Sequence, residues 1–213
     1  MNMPFTTEQF FQVFRDYNLT VFPLQVIFNL LAVIVIFLVI KKNKFSDRII
    51  SGVLGFFWLW IGIVYHLIFF TAINKAAYIF GVMFIIQGIL FLYSGTVRDK
   101  FSFKYKSDVY GVTGVIFILY ALIIYPIIGY LAGHTYPDNP TFGLPCPTTI
   151  FTFGVLLLTE RKIPVYLLII PLLWSVIGFF AALNFSVYED TGLLIAGVTG
   201  FVMMLFEAKA QRR

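Results

Sequence analysis

The feature that most constrains this chain is a succession of long apolar runs that carry no charge. Residues 21–40, 49–70, 76–92, 109–131, 163–183 and 191–206 contain no Asp, Glu, Lys or Arg. The hydrocarbon core of a bilayer is about 30 Å thick, and a helix crosses it with roughly 20 apolar residues. Runs of this length cannot all be hidden inside a soluble domain of 213 residues that is 60% hydrophobic and 12% charged. The mean hydropathy of +0.92 agrees. The expected object is an all-α, polytopic transmembrane bundle.

Ahead of the first run, Thr6 and Gln9 fit a capping box, so a helix should begin there. Phe10, Phe11, Phe14 and Tyr17 follow at helical spacing. The segment 1–18 is expected to be an amphipathic helix on the membrane surface, or else an extension of the first span. It carries Glu8, Arg15 and Asp16 and lacks the basic-then-apolar layout of a cleavable signal. Residues 19–207 should form the transmembrane domain and 208–213 a basic tail. Pro126 and Pro171 fall inside spans and are expected to kink them. The single cysteine, Cys146, excludes an internal disulfide.

The net charge of +5 is a topology signal rather than a nucleic-acid signal. A seventh, short apolar run at 148–158 completes the set. The segments after the first, third, fifth and seventh runs hold four, four, two and three basic residues. The alternate segments hold only Arg15 and Lys75. By the positive-inside rule this predicts seven helices, with the N-terminus outside and the C-terminus in the cytoplasm. The lipid bilayer is the expected partner, with no nucleic acid.

Seven helices with that orientation suggest the retinal proteins, but the chemistry excludes them. A Schiff base needs a lysine in the middle of the last span, and span 7 has none before Lys209. No span carries a charge at its centre, which argues against a charge-relay pump.

The short fifth run follows a stretch rich in Gly and Pro, residues 133–147. About 12 helical residues reach only about 18 Å. The Pro-rich chain is therefore expected to dip into the membrane and start a half-helix at Pro145 and Pro147, where a missing N–H costs little. The free N–H groups near Thr148 and Thr149 would face a polar solute. Asn29, Tyr65, His66 and Gln87 would line an outward-facing polar pocket with them; singly, each also suits hydrogen-bonded helix packing. This set predicts binding or passage of a small polar solute, with no catalytic residue. An alternative is a metal- or redox-linked protein, in which His66, His134 and Cys146 supply three ligands; haem on His66 lacks a second histidine at matching depth. A third is a structural or assembly protein without a ligand site.

At Phe57-Trp58-Leu59-Trp60, Tyr65-His66, residues 70–77, and residues 133–137 through 142–149, the chain resembles an uncharacterised family of bacterial multi-pass membrane proteins. The likeness covers nearly the whole chain. It implies a bacterial inner-membrane location and no established activity. A fainter likeness, through Asn139-Pro140, Phe142-Gly143-Leu144, Phe151 and Phe153-Gly154, is to the small acetate and urea permeases, whose six spans differ from the seven counted here.

Overall fold

The computed structural model describes residues 4–210, with the side chains of 208–210 excepted. Arg212 and Arg213 of the expected basic tail lie outside the described residues. The described chain is helical, with strand pairing limited to isolated bridges.

Helix α1 (Thr7–Val21) starts at the expected capping box: the Thr6 hydroxyl accepts from Gln9 N, and the Gln9 side chain accepts from Thr6 N. It meets α2 (Leu24–Ile40) at a bend of 83° over Pro23. Its apolar face, Phe10, Val13, Phe14, Tyr17 and Val21, is buried, while Glu8, Gln12 and Asp16 are exposed. Trp60 Nε1 donates to Tyr17 Oη at 2.9 Å. The apolar stripe of α1 thus packs on the bundle itself.

Next come α3 (Ser46–Ala72), α4 (Ala77–Val97), α5 (Val109–Leu131), the short α6 (Pro145–Leu157), α7 (Tyr166–Phe185) and α8 (Thr191–Ala210). Five helical spans are long and apolar enough to cross a membrane, and a sixth results if the bent α1–α2 pair is one span. The lipid face is legible in their exposure. On α5, Val112, Ile116, Leu119, Ile123 and Ile127 are exposed at helical spacing; on α2, Val26, Leu30, Val33 and Phe37 are. Apolar stripes of this extent are stable only against hydrocarbon. The chain is an integral membrane protein.

The shortest helix is the centre of the bundle. Every residue of α6 from Pro147 to Leu157 is buried. A helix apolar all round belongs where neighbours surround it. Gly114 of α5 and Gly154 of α6 let the two backbones touch: a Cβ on Gly114 would lie 2.7 Å from Gly154 O. Trp58 of α3 donates to Thr152 Oγ1 at 3.0 Å, and its ring stacks on Phe84 of α4 at 4.4 Å.

Extended chain flanks α6. At its C-terminal end, Lys104 N donates to Leu158 O and Glu160 N to Ser102 O, and Phe101 and Phe103 are buried. Lys106 Nζ donates to Thr159 O and to Glu207 Oε1, each at 2.9 Å, placing a cation where the helix dipole is negative. Lys42 pairs with Asp47 at 3.2 Å and Glu160 at 3.7 Å. The chain ends after α2, α4, α6 and α8 therefore meet at one end of the bundle, the basic end.

Prolines inside spans are accommodated locally. Residues 120–124, just before Pro126, widen to a π-helical turn, which frees carbonyls that the ring would otherwise crowd. Pro171 sits within a continuous α7, where Ser175 Oγ donates to its carbonyl at 2.8 Å.

Candidate functional site

At the opposite end, the loop end, a cavity of about 560 Å³ lies beneath α1 and the Pro-rich stretch. Small-molecule pockets span about 300–1,000 Å³. Its roof is aromatic: Phe10 stacks on Phe185 at 4.4 Å, Phe5 on Phe185 at 5.2 Å, and Phe70 meets both edge-on. Tyr65, Leu144, Pro145, Ile177 and Ala181 add to the wall.

The roof is latched by polar contacts between α1 and the loop. Arg15 grips Asp138 with both fork nitrogens, at 2.7 and 2.6 Å. The Asp138 hydrogen bond and charge raise the Arg15 pKa above its ordinary value. Asn18, wholly buried, donates to the carbonyls of Pro137 (2.7 Å) and Asn139 (2.8 Å) and accepts from Thr141 Oγ1 (2.8 Å). Gly143 has φ +101°, and a Cβ there would strike Phe28 of α2 at 2.3 Å, so only glycine suits both the turn and the contact.

The polar floor comes from a place the sequence marks only as a turn. Ser186 ends α7 in the left-handed region, and one 3-10 turn, Tyr188–Asp190, leads into α8. Glu189 and Asp190 point inward: Glu189 is wholly buried and Asp190 is 6% exposed. Tyr125 donates to Asp190 Oδ1 at 2.5 Å, and the Cys146 thiol neighbours the same carboxyl. His134 Nδ1 lies 3.0 Å from Glu189 Oε1, and the His134 ring rests on Phe11 at 4.8 Å. The start of α8 is electrostatically suited to two carboxylates, since a helix N-terminus is positive. The charge-free reading of the spans thus misses these two residues. An acidic pair directly before an apolar run signals a helix start, but nothing local signals burial.

The expected site residues are distributed differently from the sequence reading. Tyr65 and Cys146 line the cavity. His66 lies behind the wall, wholly buried, with its ring against Phe84 at 4.8 Å and Trp174 at 5.1 Å and neither nitrogen hydrogen-bonded. Gln87 donates to Leu167 O at 2.9 Å, tying α4 to α7. Asn29 is exposed on α2 and donates to Gln25 O. Thr149 Oγ1 donates to Pro145 O, and the Thr148 hydroxyl is buried without a partner, away from the cavity lining. The half-helix begins at Pro145, as its prolines suggest, and it is Pro145 and Cys146 rather than Thr148 and Thr149 that reach the cavity. The pocket wall is aromatic and aliphatic, with polar groups at its floor and mouth, rather than polar throughout. Among the described residues, no three His, Cys, Asp or Glu side chains converge as metal ligands. The His66–His134–Cys146 set is not assembled: His134 is engaged by Glu189, His66 by rings, and Cys146 faces Asp190.

A protein-family comparison matches residues 7–213 to a family of unknown function. The chain belongs to DUF6064. The match runs from the first residue of α1 to beyond the end of α8, so the latch, the floor and all of the cavity lining except Phe5 lie within the family's extent. No curated protein and no solved structure is significantly similar to the chain.

Proposed function

We propose that this membrane protein binds a small ligand in the cavity at the loop end. The observation that carries the reading is the cavity itself: an aromatic enclosure of ligand size that ends on a buried carboxyl, Asp190, and on the Trp174 indole, whose Nε1 meets no oxygen or nitrogen acceptor and has the Cys146 sulfur, a weak acceptor, beside it. Buried polar groups in native proteins are almost always paired. An indole N–H on a cavity wall with only a weak sulfur acceptor beside it therefore supports a stronger partner that the polypeptide does not supply. The expected ligand differs from the polar solute of the sequence reading, because most of the enclosure is apolar.

The same proposal includes a topology. Seven passes, with α6 and its flanking extended chain as the fifth, place the basic end in the cytoplasm and the cavity on the outer side, in a bacterial inner membrane. The clustering of Lys42, Lys104, Lys106 and Arg161 at one end of the bundle supports it. A Lys162→Cys variant made in a Cys146→Ser background should react with a membrane-impermeant maleimide only after the vesicles are opened from the cytoplasmic side.

The binding test uses the protein in nanodiscs, a panel of small amphiphiles and thermal unfolding as the readout. Saturable stabilisation is expected for the wild type and should vanish in Ala181→Trp, which fills the cavity from α7. Stabilisation of equal size in Ala181→Trp, or none with any compound in the wild type, refutes the reading.

A further inference from the structure

The cavity has a mouth as well as a floor, and the two together specify a class of ligand. Helix α7 shows the bilayer a stripe of Ile169, Leu173, Val176, Phe180 and Leu183, all exposed. Phe180 also borders the cavity, beside Ala181 and Asn184 on the same helix and Asn74 in the turn after α3. The cavity therefore reaches the lipid-facing surface of the bundle at the level of its polar rim. Its roof toward the loop end is closed by α1 and the Arg15–Asp138 and Asn18 latch. The open side is the one that faces lipid.

At the inner end three polar groups converge around Gly178. A Cβ built on Gly178 would sit 3.5 Å from Cys146 Sγ and 3.6 Å from Trp174 Nε1, and Asp190 lines the same space. Trp174 is 6% exposed, and its N–H has no oxygen or nitrogen partner, with the weakly accepting Cys146 sulfur beside it. Asp190 accepts a hydrogen bond from Tyr125 at Oδ1, and the Cys146 thiol lies against the same carboxyl. The groups around this carboxyl, a phenol and a thiol, are donors, so the carboxyl faces the cavity as an acceptor.

On the basis of the binding function proposed above, we infer that the ligand is an amphiphile taken laterally from the membrane. Its apolar body lies among Phe10, Phe70, Ile177 and Ala181, and its hydrogen-bond-donating head, a hydroxyl or an amine, docks on Asp190. The Trp174 indole donates to the lone pair of that same hydroxyl, or to a second oxygen of the head. A fatty carboxylate is rejected, because it would bring a second anion against Asp190 and would offer that carboxyl no further donor.

Four probes separate the parts: dodecylamine, dodecanol, dodecanoate and butylamine, each titrated at matched membrane mole fraction into the full chain in nanodiscs. Thermal unfolding and native mass spectrometry are the readouts. Dodecylamine and dodecanol should bind saturably and about tenfold or more tighter than dodecanoate, the difference expected when a hydrogen bond to a charged group is gained. Butylamine, with the same head and little body, should bind weakly. Asp190→Asn should bring dodecylamine and dodecanoate to within about twofold of each other. Trp174→Phe should weaken dodecanol and keep the order amine over carboxylate; it guards against a folding defect in Asp190→Asn. Equal binding of the three dodecyl probes, or dodecanoate binding best, overturns the head-group assignment and leaves the binding function standing. Tight butylamine binding overturns the apolar-body assignment. No saturable binding by any probe overturns both.

Discussion

Replacing Asn18 by alanine should destabilise the protein more than breaking its most conspicuous surface ion pair. Asn18 is wholly buried between α1 and the Pro-rich loop. Its side chain makes four hydrogen bonds: to the carbonyls of Pro137 and Asn139, and from Thr141 Oγ1 and Gln25 Nε2, the last long at 3.4 Å. A net hydrogen bond contributes about 1 kcal/mol, and groups orphaned in a buried site cost more. Alanine leaves two carbonyls and a hydroxyl without partners, so the loss is about 3–4 kcal/mol. For a chain of this size each kcal/mol moves the melting temperature by about 2–4 °C, which gives a drop of about 6–16 °C. Asn18→Asp should be worse, since a carboxylate would face two carbonyl oxygens. Arg15→Ala removes a bidentate pair whose side chains are 44% and 36% exposed, and water and salt screen it, so the loss should be much smaller than that of Asn18→Ala. Differential scanning fluorimetry of the purified protein measures all three. An Asn18→Ala melting temperature within about 2 °C of wild type, or an Arg15→Ala loss larger than that of Asn18→Ala, refutes the reasoning.

Thr152→Val should cost about 1–3 kcal/mol, because it leaves the buried Trp58 Nε1 without its acceptor, and Thr152→Ser should recover most of the loss in the same melting assay. Gly114→Ala should destabilise by about 1–3 kcal/mol although alanine favours helices, since its Cβ would press on the Gly154 carbonyl; Gly52→Ala, where a Cβ meets nothing within 4 Å, should be neutral or stabilising. Lys106→Met should lower the melting temperature by more than Lys104→Met does. Lys106 is 17% exposed and joins Thr159 O to Glu207, whereas Lys104 is 61% exposed and pairs with Glu160 at 3.8 Å.

Much of the architecture follows from short-range properties that a linear reading captures. The fourth apolar run coincides with α5 from Val109 to Leu131, and the capping box of α1 begins where Thr6 and Gln9 place it. The length deficit of the fifth run identified a helix too short to cross alone, and α6 is that helix. The site was less legible. Asn29 and Gln87 are polar residues in apolar runs, and the sequence cannot tell a cavity liner from a residue that satisfies its own neighbourhood. Asn29 bonds to its own helix and Gln87 bridges to α7, which are the ordinary fates of amides in spans. Tyr65 lines the cavity and His66 does not, because adjacent residues on a helix point about 100° apart. The most consequential miss, Glu189 and Asp190, turned on tertiary position: in sequence they lie in a polar turn, and only the packing of Tyr125, His134 and Cys146 around that turn makes it an interior.

The sequence by itself determined that this chain lives in a bilayer, where its helices run, and that the helix after the Pro-rich segment is too short to cross alone. Those conclusions rest on hydrocarbon thickness and helical rise, which act residue by residue along the chain. The tertiary structure decided that the shortest helix sits at the centre, that α1 folds back to roof a cavity, and that a carboxylate from the far end of the sequence, Asp190, forms its floor with Glu189 buried beside it. Those outcomes depend on which faces meet across distances of 50 to 120 residues, as in His134 with Glu189 and Arg15 with Asp138. No local pattern of hydrophobicity encodes such a meeting, because burial of a polar side chain is favourable only when its partners, scattered along the chain, arrive together.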